Sequence, residues 1–262
     1  MDVRCRLLPT CWIVVLCATG CQGDLSPQGR QLLRAGYDTS RNADYPTVIS
    51  KTDQFLRQFG KSDQAGEAYY LRGLAHYRLG DRQGAKADLA EAISQNNLPE
   101  LKARSAVVLG DIAREEQDLQ LAEKHYRQAL GFCEKDKSPA DHAYYWLGCV
   151  LQRQGRWQEA DIQFSRVVYL FGDSPLVQSA SRRINCRVWT VQVGVFDTKQ
   201  AAELSAERLV KLGQPVSEQA VLVGGRVKHA IHAGRYSTYE QALSAKADLA
   251  GLSADSIIVA TR

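Results

Sequence analysis

A spaced pattern of small and bulky residues recurs four times between residues 29 and 175 and constrains the fold more than any other feature. Its units start roughly 37 residues apart, a period typical of stacked helix pairs. Each of the three best copies has a glycine, an alanine twelve residues later and a bulky residue four positions after the alanine, whereas a weaker first copy has Gly36 and Val48. A single unit cannot bury its apolar face, so the pattern predicts a helical solenoid. The best copies contain Gly73, Ala85 and Leu89; Gly110, Ala122 and Tyr126; and Gly148, Ala160 and Phe164.

The small residues predict where two antiparallel helices come into close contact, with the bulky residues filling the gaps between them. This pattern resembles the tetratricopeptide repeat (TPR). Residues 55–62 and 169–175 are also similar to the inter-repeat turns of periplasmic TPR proteins, such as an outer-membrane assembly lipoprotein and a cell-division coordinator. The resemblance implies a TPR domain over 29–183 whose concave face binds an envelope protein that the sequence does not identify. The alternative is a spacer that positions the rest of the chain.

After Cys186 the pattern becomes alternating and rich in β-branched residues, which indicates strands. The order is βαββαβ, a ferredoxin-like topology with two helices on one face of a sheet and the other face open. Asp197 with Gln200, and Ser237 with Glu240, fit the capping positions of the two helices. The predicted strands span 188–196, 215–223, 226–233 and 256–260, and the predicted helices span 198–212 and 238–250.

The segment Val191–Phe196, followed by a helix that opens with alanines, has a counterpart in Gly234, Arg235 and Tyr236. This repeated Gly-x-aromatic motif is similar to that of SPOR domains, and the resemblance covers residues 187–262. It implies binding of peptidoglycan glycan strands that have lost their stem peptides, which are enriched at the division site.

Alternation along the first and third strands separates their side chains into two faces. Trp189, Val191 and Val193 are predicted to face the helices, whereas Ala230 lies on the open face at a position where SPOR domains often have arginine. Gln192 matches the position at which SPOR domains contact glycan. The predicted glycan-binding residues are Gln192, Thr190, Lys228, His232 and, in one of its two possible registers, Ile257. Ala230 keeps an alternative open, a TPR assembly scaffold whose SPOR-like domain has lost glycan binding.

The first residues have the layout of a secretory signal: Arg4 and Arg6, an apolar run over 11–18, and small residues before Cys21. The last part resembles a bacterial lipoprotein cleavage box. It implies a signal peptide over 1–20, lipidation of Cys21, a tether over 21–28 and a membrane-anchored protein. By the same resemblance, Gln22 favours the outer membrane facing the periplasm. An ordinary signal peptide and an uncleaved anchor are the alternatives.

Other classes of function find little support. The net charge of +4 is small and dispersed, and the central strands lack the stacking aromatics of RNA-binding modules, so no nucleic-acid partner is expected. We find no zinc-protease, nucleophile-elbow or phosphate-loop motif, and therefore expect no enzyme, metal or cofactor. Cys133, Cys149 and Cys186 do not form a disulfide framework. Whether Cys133 pairs with Cys149 is left open.

Overall fold

The computed structural model describes residues 25–95, 97–251 and 255–261. Consecutive helices pack as antiparallel pairs, and successive pairs stack on one another, as the repeat predicts. The pairs are followed by one short helix. The helices are α1 (Pro27–Arg41), α2 (Tyr45–Phe59), α3 (Ala65–Arg78), α4 (Arg82–Gln95), α5 (Pro99–Glu115), α6 (Leu119–Phe132), α7 (Ala140–Arg153), α8 (Trp157–Leu170) and α9 (Val177–Arg183).

The glycines of the repeat lie where the two helices of a pair touch. A methyl group built on Gly148 would lie 2.7 Å from Cε1 of Phe164, and one built on Gly110 would lie 2.7 Å from Cε1 of Tyr126. Both rings are buried. The predicted contact between small residues of one helix and bulky residues of its paired helix is therefore confirmed.

One predicted turn starts later than expected. Residues 55–59 form the last part of α2, and the turn begins at Gly60. The reason is that Phe55 is fully buried in a cluster with Val48 and Leu71, which keeps this stretch helical against α3.

The second part of the chain has the predicted βαββαβ order. The sheet order is β2-β3-β1-β4, all neighbours are antiparallel, and β1 and β3 are therefore the central strands. Val191, Val193 and Ile231 form a core with Leu209 and Leu249 of the two helices. The elements are β1 (Val188–Phe196), α10 (Lys199–Lys211), β2 (Val216–Val223), β3 (Arg226–Tyr236), α11 (Tyr239–Asp248) and β4 (Ile257–Thr261).

Both helix caps lie one residue later than predicted. Thr198, not Asp197, accepts a hydrogen bond from the first turn of α10. Thr238 and Gln241 form the capping box of α11. In each case two neighbouring residues have side chains that can cap a helix, and the helix begins only after the second of them.

A register shift between Gln192 and Gly194 breaks the simple alternation of β1. Val193 and Gly194 both lie on the helix side, so that Val195 points to the open face and is 39% exposed. Phe196 returns to the helix side and covers Gly194, whose built Cβ would lie 2.9 Å from Cζ of the ring.

Aromatic residues join the two domains. The ring centroids of Trp157 in α8 and Trp189 in β1 are 5.4 Å apart, and Trp189 meets Tyr239 of α11 edge-on at 5.1 Å. The Arg153 guanidinium lies 4.1 Å from the centroid of the Tyr239 ring. Trp189 is 3% exposed, so the joint is a packed interface on the helix side of the sheet.

Polar contacts support the same joint. The Arg187 guanidinium lies 2.7 Å from a carboxylate oxygen of Asp161 in α8, and the backbone N–H of Asn185 donates to the other oxygen at 3.0 Å. Cys186, between them, is buried. Cys133 and Cys149, whose pairing the sequence left open, form no disulfide with each other in the described part of the chain.

Replacing Gly148 by alanine should lower the free energy of unfolding by about 1–3 kcal/mol, because the new methyl group overlaps the buried Phe164 ring. The matched control is Gly131→Ala in α6, where an added methyl meets nothing within 4 Å. That control should be neutral or stabilise by up to about 1 kcal/mol. Urea unfolding measures both; equal effects would contradict the packing described here.

Replacing Trp157 by alanine should loosen the joint at a cost of about 1 kcal/mol, the typical worth of an aromatic pair beyond its buried area. Small-angle X-ray scattering should show a broader distribution of interatomic distances. Tyr169→Ala, which removes an 83% exposed aromatic from the same helix, is the control. An unchanged scattering curve for the Trp157 variant would mean that the aromatic contact does not hold the domains together.

Candidate functional site

The strand pairing places all five predicted glycan-binding residues on the open face of the sheet. Gln192 is paired with His232 of β3 on one side and with Ile257 of β4 on the other. Thr190 lies two residues before Gln192 on β1, and Lys228 lies four residues before His232 on β3. The register of β4, which the sequence left open, thus turns Ile257 toward this face, where it is 49% exposed.

The centre of the open face is recessed, which alternation alone did not predict. Thr190 is 2% and His232 is 4% exposed, and Ala230 is fully buried. These residues lie on the two central strands, so neighbours on both sides shield them. The prediction of their face is right, but the expectation of a plain exposed surface there is wrong. Gln192 is half-buried beside them.

One polar group of this recess lacks a hydrogen-bond partner, and another is held uncharged. Within the described residues, the buried Thr190 hydroxyl makes no hydrogen bond. Burial lowers the pKa of the His232 imidazole below its usual range, and no other group in the described chain contributes to the shift. The ring is therefore neutral at neutral pH, with one nitrogen that can donate and one that can accept. We name Thr190, Gln192 and His232 the polar recess.

Lys228 is on the predicted face but away from the polar recess. At roughly 3.3 Å per residue, it lies about 13 Å along β3 from His232. Its ammonium is 2.9 Å from a carboxylate oxygen of Asp197, which compensates its charge. The exposed Arg226 lies farther along the same strand, toward the β2–β3 turn. Lys228 and Arg226 thus lie toward the β2–β3 turn, whereas the exposed Arg235 lies near the other end of β3. The structure does not bring Lys228 to the other four residues.

The structure adds residues that the sequence analysis missed. Ser217 and Gln219 of β2 are paired with His232 and Ala230, and both are exposed at the edge of the open face. The two-residue turn at Gly224 and Gly225 fixes this register, so the pairing was available from the sequence. The exposure of Val195 on the open face could not be predicted from the sequence, because its orientation depends on the register shift in β1.

The first helices of successive repeats form a second surface, rich in aromatic and charged groups. The Tyr37 hydroxyl donates to Glu67 at 3.0 Å. The Arg114 guanidinium lies 3.9 Å from the centroid of the Trp146 ring. These groups pair with one another across neighbouring repeats, so this surface does not by itself select a partner of one charge.

Other expectations fall outside the structure. Cys21, the predicted lipidation site, and the predicted signal peptide lie outside the described residues. None of the described helices combines the length and apolar character needed to cross a membrane. Among the described side chains, we find no group of three or more potential ligands placed to hold a metal ion.

The burial of His232 should make the stability of the protein depend on pH. Its pKa is lower in the folded state than the ordinary value of about 6.5, so the unfolded state binds more protons as the pH falls below that value. Stability should therefore decrease from about pH 6.5 downward. Urea unfolding at pH 7 and pH 5 should show a smaller loss for His232→Gln than for the unchanged protein.

His229→Gln is the matched control, because His229 lies on the same strand but faces the helix side and contacts Glu218 at 2.6 Å. An identical pH dependence in the unchanged protein and the His232 variant would show that this imidazole is not held neutral by burial.

Comparison with known families bears on both domains. The SPOR domain family matches residues 187–260. Tetratricopeptide repeat families match residues 66–97, 103–136 and 142–174, which correspond to the second, third and fourth helix pairs. No curated protein matches the chain.

Two solved structures resemble part of this chain. A tetratricopeptide repeat protein from Parabacteroides merdae is 14% identical with a TM-score of 0.50; the match covers 60% of this chain and 59% of that one. The MamA protein is 16% identical with a TM-score of 0.49, covering 60% of this chain and 79% of that one. At such identities the likeness to the Parabacteroides merdae protein concerns the fold alone.

Both domain resemblances found in the sequence are thereby confirmed, whereas lipidation stays a prediction. The chain contains tetratricopeptide repeats within residues 66–174, followed by a SPOR domain over residues 187–260.

Proposed function

We propose that this protein is a non-catalytic lipoprotein of the cell envelope. Its SPOR domain holds glycan strands without stem peptides, and its TPR domain binds an envelope protein. SPOR domains are peptidoglycan-binding modules and TPR domains bind proteins, so the two family matches support a peptidoglycan-binding, protein-interaction role.

The observation that carries the proposal is the polar recess on the open face. Buried polar groups are normally hydrogen-bonded, and leaving one unpaired costs about 1–3 kcal/mol. Thr190 has no partner within the described chain. A ligand rich in hydroxyl and amide groups supplies such partners. Because the solenoid packs on Trp189 and Tyr239, on the helix side of the sheet, the joint leaves the opposite face for the ligand.

The location follows from the ligand and the first residues. Lipidation of Cys21 would anchor the protein at the outer membrane, facing the periplasm, where peptidoglycan lies. Glycan strands without stem peptides are enriched at the division site, so a SPOR domain that binds them would gather the protein there. The TPR domain would then bring its partner to the same place.

A second candidate is a TPR scaffold whose SPOR domain no longer binds glycan. Ala230 favours it, because this fully buried residue stands on the open face where the family often has arginine. Lys228 does not replace that arginine, because its charge is already compensated by Asp197.

Retention of the intact protein on purified sacculi separates the two candidates. Retention of the unchanged protein should rise after amidase treatment, because the amidase removes stem peptides. Gln192→Glu should weaken retention about tenfold or more, because an added charge in the polar recess must be desolvated when glycan covers it.

Gln200→Glu adds the same charge on α10, on the helix side, and is the control. No retention of the unchanged protein on either kind of sacculi would favour the scaffold. Equal retention of the Gln192 and Gln200 variants would mean that glycan binds elsewhere.

A further inference from the structure

We propose that the polar recess takes the uncharged acetamido group of an N-acetylated sugar and not a carboxylate. This inference rests on the proposed function and specifies which chemical group of the glycan enters the most buried part of the open face. Glycan strands without stem peptides offer both groups, since removal of the peptide leaves a lactyl carboxylate on every second sugar.

The recess is built from side chains held by neighbouring strands. Gln192 and His232 are paired directly across β1 and β3, so their Cβ atoms lie about 5 Å apart. Thr190 lies two residues before Gln192 on β1, so its side chain projects from the same face of the sheet. Thr190 and His232 are both more than nine-tenths buried. A group that enters here is largely removed from water.

The hydrogen-bonding capacity of the recess fits an amide. The Thr190 hydroxyl, the Gln192 carboxamide and a neutral imidazole can each donate and accept. An acetamido group has one N–H donor and one carbonyl acceptor, so it can satisfy groups of both kinds at once. The Thr190 hydroxyl is already buried without a partner among the described residues, so binding recovers an interaction that folding has left unmade.

The rim of the recess fits the rest of such a sugar. Val195 is 39% and Ile257 is 49% exposed on the open face, and the half-buried Val259 is paired with Thr190. These apolar side chains can contact the methyl group of the acetamide and the C–H groups of the ring. Contact with them removes apolar surface from water.

The absence of a buried cation among the described residues of the recess argues against a carboxylate inside it. A buried carboxylate needs a cation or several donors. On β3, Lys228 is about 13 Å away and paired with Asp197, and Arg226 lies beyond it. Arg235, next to the helix-side Tyr236, is exposed and lies at the rim, outside the buried recess. The residues paired with His232 from β1 and β2 are Gln192 and Ser217, which are uncharged. A lactyl carboxylate is better placed in solvent, near the exposed Arg235 or near the β2–β3 turn.

Two uncharged sugars test the proposal on the intact protein. Tetra-N-acetylchitotetraose carries acetamido groups and no carboxylate, whereas cellotetraose has hydroxyl groups at the same positions. Titration calorimetry should show the acetylated sugar binding about tenfold or more tightly than cellotetraose. Thr190→Val, which keeps the shape of the side chain and removes the hydroxyl, should weaken binding of the acetylated sugar while raising the urea midpoint.

That combination distinguishes a binding group from a structural one, because loss of a structural hydrogen bond would lower the urea midpoint. Full binding by the Thr190 variant would overturn the proposal. Equal binding of the two sugars, or no binding of either by a protein that is retained on amidase-treated sacculi, would overturn it while leaving the proposed function in place. If the protein binds neither these sugars nor sacculi, the proposed function and this inference both fall.

Discussion

The burial of Trp189 against Trp157 of the solenoid and Tyr239 of α11 decides which face of the sheet is available. Because strand residues alternate, turning Trp189 toward the helices turns Thr190 and Gln192 the other way. One strand therefore attaches the SPOR domain to the repeats and presents the ligand-binding groups. Slippage of β1 by one residue would place polar side chains in the joint and a tryptophan on the open face.

The polar recess is a place where folding and binding make opposite demands. For stability alone, valine would serve better than threonine at position 190, and an apolar residue better than histidine at position 232, since both are nearly fully buried. Proteins retain such unfavourable groups mainly at functional sites.

The sequence predicted those features that depend on a period or on a local turn. The recurrence of glycine twelve residues before alanine predicted the helix pairs, and the two glycines at 224–225 predicted the β2–β3 hairpin. The sequence-based prediction failed where two neighbouring residues could both cap a helix, as with Asp197 and Thr198 at the start of α10.

The prediction also failed where contacts with residues distant in sequence decide the structure. The recessed burial of Thr190 and His232 depends on all four strands, and the register of Ile257 depends on a crossover past α11. The aromatic joint is of this kind too, because Trp157 and Trp189 belong to different domains.

A chemical-shift map of the intact protein, titrated with peptide-free glycan oligomers released from amidase-treated sacculi, tests the central claim most directly. The account predicts that the largest changes fall on open-face residues of β1, β3 and β4, centred on Gln192 and His232. Changes confined to α10, α11 or the repeats, with the open face unaffected, would contradict it.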